Sequence, residues 1–168
     1  MAKIELIVLD VDGCLSDGKI FYSENGQELK AFSVKDGLGI ASWVRMGKKV
    51  AIITGRKSQI VEKRAKELGI NYCKQGIKDK KEVLKGIIKE LGISWESVAG
   101  VGDDYNDLLM LQSVGLSFTP ADGVEDVKEI ADVVLSRRGG DGAVREMIDL
   151  IIERDGLKEE FKRLWLVK

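Results

Sequence analysis

The chain has 168 residues, with 27 Lys and Arg against 28 Asp and Glu, a formal net charge of −1 and 44% hydrophobic residues. This describes one ordinary soluble domain that can bury its own core, and it excludes a disordered chain; the charge balance supports neither a nucleic-acid partner nor an anionic membrane. There is no histidine, which excludes a Ser-His-Asp triad, a histidine general base and most catalytic zinc sites.

Strands and helices alternate along the chain. The run Ile4 to Leu9 is too short for a helix and predicts a buried strand. Further strands are expected over 49–53, 70–73, 98–101, 115–118 and 132–135. Helices are expected over 37–46, 58–68, 80–91, 106–112, 124–130 and 142–154. This pattern predicts an α/β fold with a doubly wound parallel sheet, as a single domain over 1–168. One segment breaks the alternation. Lys19 to Tyr22 and Leu29 to Phe32 flank a stretch containing Asn25-Gly26, which predicts a β-hairpin inserted at about 18–33. The hairpin is expected to pack against something, since it is marginal alone. Cys14 and Cys73 form no CxxC, and no signal peptide or membrane span is apparent, so an intracellular, cytoplasmic protein with reduced thiols is expected.

Without histidine, the carboxylates become the natural carriers of chemistry. Asp10 stands at the end of the first strand and Asp12 two residues on, before Gly13. Ligands of open α/β sheets bind beyond the carboxyl ends of strands. There Asp10 can attack phosphorus and Asp12 can protonate the leaving group. An Asp/Gly turn after a strand reads equally well for the pair alone. A second cluster, Gly102-Asp103-Asp104-Tyr105-Asn106-Asp107, follows another strand. Asp103 suits a Mg²⁺ ligand, since this ion needs only one or two carboxylates beside phosphate and water. Asp107 can orient a cationic side chain, and Asp104 supports the loop. Thr54 closes the second strand with a hydroxyl and can bind phosphoryl oxygens together with the following N–H groups. Lys80 can neutralise nucleophile and phosphate, though among Lys78, Lys80 and Lys81 a solvated helix end reads as well and the residues alone do not choose it.

These four stations, Asp10-Val11-Asp12, Thr54, Lys80 and Gly102 to Asp107, resemble in kind and order the haloacid dehalogenase superfamily. The resemblance implies a Rossmann-like fold of that type, Asp10 as nucleophile and Asp12 as acid/base. It also implies Mg²⁺ held by Asp10, the backbone carbonyl of Asp12, and Asp103. Asp10 to Gly18, the hairpin, Phe32 to Gly37, Tyr72 to Gly76 and Gly139 to Glu146 are similar to the 3-deoxy-D-manno-octulosonate 8-phosphate phosphatase family. Cys14 and Ser16 are mild departures, standing where an aliphatic residue and threonine are common. By this resemblance Lys80 is the motif lysine, and Asp12, Ser33, Val34, Lys35, Asp36, Gly37, Arg56, Arg64 and Lys80 are substrate contacts. One hairpin and one helix fill the space between Asp12 and Thr54, so no separate cap domain is expected. The family resemblance implies a homotetramer in which hairpins and a neighbour's tail, 157–168 here, cover each site. A helix packed on its own domain is the other reading of that tail.

The expected substrate is an eight-carbon sugar-acid phosphate. A nine-carbon acid 9-phosphate is the near alternative. A receiver-like phospho-acceptor module is the distant one, disfavoured by Asp12, because turnover wants a general acid and a long-lived phosphate does not.

Overall fold

The computed structural model describes residues 2–166; Met1 and the last two tail positions, Val167 and Lys168, lie outside the described residues. The strands Leu6–Leu9 (β1), Lys49–Thr54 (β4), Tyr72–Gln75 (β5), Val98–Val101 (β6), Leu116–Thr119 (β7) and Val133–Val134 (β8) form one sheet in the order β5-β4-β1-β6-β7-β8. Every pairing in it is parallel. All four residues of β1 are buried, as expected of a central strand covered on both faces.

Helices cover both faces. On one side Val34–Arg45 (α1) and Ala143–Arg154 (α6) pack Ile40, Trp43, Met147 and Ile148 against Ile7 and Leu9. On the other, Lys80–Leu91 (α3) and Leu108–Leu111 (α4) pack Leu84, Ile87, Met110 and Leu111 against Leu6, Val8 and Ile53. Gln59–Leu68 (α2), Glu125–Ile130 (α5) and Lys158–Arg163 (α7) complete the set. Among the described residues no helix is long and apolar enough to cross a membrane.

The register decides where the chemistry sits. Leu9 pairs with Ile52 on one side and Val101 on the other. Asp10 just after β1, Thr54 at the end of β4 and Asp103 just beyond β6 therefore emerge together at the carboxyl edge. The chain leaves β1 for β4 on one side and later returns to β6 on the other, so this edge is a topological switch point.

Several boundaries differ from expectation for physical reasons. The hairpin strands are Phe21–Tyr22 (β2) and Glu28–Leu29 (β3), shorter than expected, because Lys30 leaves the ladder to pair with Asp12. Helix α1 begins at Val34 and not at Gly37, because the Ser33 hydroxyl accepts from the Lys35 and Asp36 N–H groups and caps it. Strand β5 starts later than position 70, because the Ile70 N–H donates to the Ala65 carbonyl and closes α2. The fourth helix opens with a tight turn at Tyr105–Asp107 before Leu108. The tail forms α7 and docks on α1 of its own chain. There the Arg45 guanidinium lies 4.9 Å from the Trp165 ring centroid, and the Trp165 indole N–H donates to the Ser42 hydroxyl at 3.2 Å.

Candidate active site

Asp10, Asp12, Thr54, Gly55, Arg56, Asp103, Asp104 and Asn106 line one cleft of ≈190 Å³ at the carboxyl edge of the sheet. Asp10 is buried, and its Oδ1 accepts from the Lys80 ammonium at 2.6 Å. Lys80, at the first position of α3, is buried too and also donates to Asp107 Oδ1 at 2.5 Å. Asp107 Oδ2 accepts from the Asp103 N–H at 3.1 Å. Asp107 thus faces two ways: it orients the lysine and fixes the loop that carries Asp103. Asp104 caps the turn, its side chain accepting from the Tyr105 N–H at 2.7 Å.

Local backbone explains the closeness of Asp10 and Asp103. Gly13 adopts φ +100°, and a Cβ there would fall 2.0 Å from Asp103 Oδ2, so only glycine lets the two loops meet. Gly139 seals the catalytic loop from behind, where an added Cβ would lie 1.7 Å from the Gly13 carbonyl oxygen. The neighbouring Gly140 N–H donates to the Cys14 carbonyl at 2.9 Å. Gly139→Ala is therefore expected to displace the Gly13 carbonyl, destabilise the fold by about 1–3 kcal/mol and depress activity. A thermal melt and a rate assay test this, and an unchanged variant would count against the close packing.

The electrostatics call for a cation. Burial, then the charge of Asp107, raise the Asp10 pKa to about 7 despite Lys80. Burial, then Asp10 and Asp107, raise Asp103 to about 8. Burial works against the Lys80 charge, but Asp10 and Asp107 outweigh it and hold its pKa above the ordinary lysine value. Lys80 pairs with Asp10 and Asp107 only, so Asp103 has no ammonium partner in this poorly solvated cleft. The oxygens of Asp10 and Asp103 lie within 4.8 Å of each other and of the Cys14 sulfur. These oxygens fit a hard divalent ion such as Mg²⁺. Cys14 is buried, and its thiol is pushed up by burial and by both carboxylates.

The pH dependence has a definite sign. Asp10 and Asp103 ionise in the unfolded chain near 3.8, and in the metal-free fold only near 7 and 8. Their neutral forms favour the fold most below about 3.8; that advantage falls as pH rises from 3.8 and is gone by 7 to 8, while Lys80 stays charged. The rise in melting temperature caused by Mg²⁺ is therefore expected to be larger above pH about 8 than at pH about 6. Equal rises at both values would contradict this.

The other residues expected to contact substrate lie elsewhere in this chain, with the exception of Arg56. Ser33 caps α1 and Val34 is exposed. Lys35 lines a separate surface groove with Arg137 and Arg145. Asp36 is buried against α6, where its Oδ1 accepts from the Arg145 N–H at 2.8 Å and burial raises its pKa. Gly37 is covered by Arg64, whose guanidinium lies 5.9 Å from the Phe32 ring centroid. Arg56 stands at the cleft and donates to the Tyr22 hydroxyl at 3.1 Å and to Glu28 at 3.4 Å, so the hairpin reaches over the site. One site residue escaped the sequence reading. The Lys30 side chain is buried and pairs with Asp12 Oδ1 and, at 3.5 Å, with Glu28. A lysine inside Leu29-Lys30-Ala31-Phe32 was the available signal.

A family model of haloacid dehalogenase-like hydrolases matches residues 73–147. The 3-deoxy-D-manno-octulosonate 8-phosphate phosphatase KdsC of Escherichia coli (strain B / BL21-DE3) is 46% identical over 165 residues, covering 96% of this chain and 88% of the relative. The chain belongs to the 3-deoxy-D-manno-octulosonate 8-phosphate phosphatase family. Two solved members of this phosphatase family share the fold. That of Moraxella catarrhalis, in complex with magnesium ion, phosphate ion and KDO molecule, superposes with a TM-score of 0.93 at 42% identity, covering 96% of this chain and 93% of its own. The cobalt-bound form from Haemophilus influenzae gives 0.88 at 40% identity, covering 92% and 90%. The chain is thus a phosphatase of haloacid dehalogenase type, and its acidic cleft is the region that fits a divalent cation.

Proposed function

We propose that this phosphatase hydrolyses 3-deoxy-D-manno-octulosonate 8-phosphate to the free sugar acid and phosphate through a phosphoaspartate at Asp10. The observation that carries the reading is the buried Asp10–Lys80–Asp107 array beside Asp12 and Asp103, in a chain that matches the E. coli phosphatase over nearly its whole length. Asp10, the backbone carbonyl of Asp12 and Asp103 would hold Mg²⁺, which would supply positive charge against the repulsion between carboxylate and phosphate.

The side chains divide the remaining work. Asp10 attacks phosphorus, and the bond to the sugar oxygen breaks as the Asp10–phosphorus bond forms. Asp12 delivers a proton to the leaving alkoxide. It then takes one from the water that attacks phosphorus and releases Asp10. Lys80 balances the charge of Asp10 and of the phosphoryl group, and Thr54 with the adjoining N–H groups holds phosphoryl oxygens. Asp104 and Asp107 keep the loop and the lysine in place.

Arg56 is positioned to meet the substrate carboxylate, a bond worth more than a neutral one. Residues 1–168 act as one catalytic domain, without a separate cap. In the homotetramer we propose, in a cytoplasmic enzyme, hairpins and a neighbour's tail cover each cleft, whereas Asp36 and Gly37 stay buried within their own chain. A monomer by sedimentation would remove that part.

Substrate choice is tested by side-by-side kcat/KM values, with Mg²⁺, on the octulosonate 8-phosphate and on a nine-carbon sugar-acid 9-phosphate. Preference for the first is expected. Preference for the second would move the enzyme to the other substrate without touching the chemistry.

A further inference from the structure

A buried lysine is costly unless its charge is matched. Lys30 has no exposed side-chain surface, and its ammonium pairs with Asp12 Oδ1 and Glu28. It lies just beyond β3, and Glu28 within β3 also pairs with Arg56, which in turn holds Tyr22 of β2. Two-residue strands do not hold a hairpin in place by themselves. Here both hairpin strands are tied to Arg56 on one side of the cleft, and Lys30, just beyond β3, ties the hairpin to Asp12 on the other.

We propose that Lys30 is a positioning residue for Asp12, fixing which of its oxygens faces the leaving group. This rests on the assignment of Asp12 as the acid. With Asp12 Oδ1 turned to the Lys30 ammonium, Oδ2 is the oxygen left to meet the leaving group. The same contact stops the carboxyl group from rotating. Asp12 is one-fifth exposed where it lines the cleft, so the free oxygen can meet the departing oxygen while Lys30 stays behind it. Orientation of this kind is a large share of what a proton donor contributes.

The test uses leaving groups of different basicity on the Mg²⁺-loaded enzyme. p-Nitrophenyl phosphate releases a weakly basic phenolate that needs no proton, whereas phenyl phosphate releases a more basic one that gains from it. For a phosphoenzyme mechanism kcat/KM reports the step in which this group leaves. Lys30→Gln is expected to lose about tenfold more kcat/KM on phenyl phosphate than on p-nitrophenyl phosphate, a part of the 10²–10⁴ typical of general acids. Lys30→Arg, which keeps a buried cation, should restore most of that difference. It also carries the comparison if Lys30→Gln no longer melts cooperatively, in which case wild-type-like selectivity in Arg and its loss in Lys30→Met are required. A general packing role, or a role in binding the sugar, would lower both aryl substrates alike, and equal losses overturn the proposal. Asp12→Asn separates the two levels. If it too shows no selectivity for the basic leaving group, the acid assignment fails; if it is selective and the Lys30 variants are not, only the role of Lys30 fails.

Discussion

Asp10→Asn is expected to lower turnover of the octulosonate 8-phosphate by on the order of 10⁴-fold or more, because an amide oxygen cannot replace the carboxylate as nucleophile. The same change should not weaken the fold. In the metal-free protein, burial and Asp107 push the Asp10 pKa up to about 7, so its charge is disfavoured where it sits. Above that pH the neutral amide removes a repulsion and leaves Lys80 paired with Asp107. The metal-free variant should melt at or above the wild-type temperature near pH about 8. Activity lost with stability kept separates a chemical role from a structural one. Retained turnover would sink the nucleophile assignment.

Lys80→Met has the opposite signature, with activity and stability falling together. The lysine ammonium is the shared partner of Asp10 and Asp107, at 2.6 and 2.5 Å, and all three groups are buried. Methionine keeps much of the volume and removes the charge, leaving two buried carboxylates facing each other. Breaking a buried pair from one side typically costs about 3–5 kcal/mol, or a drop of roughly 10 °C for a domain of this size. Asp107 would also lose its fixed orientation, and with it the hydrogen bond that steadies the Asp103 loop. Adding Asp107→Asn to Lys80→Met should recover part of the stability by removing one orphaned charge, while activity stays low. A thermal melt of the single and double variants measures this, and an additive loss in the double variant would contradict the shared-partner description.

Much of the fold was legible because its signals are local. A short run, apolar but for Glu5, that ends in aspartate has few ways to be anything but a central strand, and the alternation of such runs with amphipathic stretches specifies a parallel sheet. The strand ends then bring Asp10, Thr54 and Asp103 together by register. What was less legible depends on contacts distant in sequence. Lys30 looks like a solvated edge residue until the hairpin folds back on Asp12. Asp36 reads as a loop carboxylate beside a glycine. Its real partner, the Arg145 N–H, lies 109 positions away, and the contact turns Asp36 from the cleft toward α6. Arg64 has the charge wanted for an anionic substrate, yet within one chain it packs on Gly37 and Phe32. Composition and spacing identify which residues can do chemistry; they do not say which way a side chain turns when two elements of similar polarity compete for it.

The most direct measurement is chemical trapping of the phosphoenzyme. Asp12→Asn slows hydrolysis of the intermediate, so rapid quenching during turnover with Mg²⁺, followed by borohydride reduction, should convert the phosphorylated aspartate to homoserine. Peptide mass spectrometry is expected to find that conversion at Asp10 and nowhere else, and only when substrate is present. Homoserine at another carboxylate, or none while phosphate is released at an appreciable rate, would contradict Asp10 as the residue that carries the phosphoryl group.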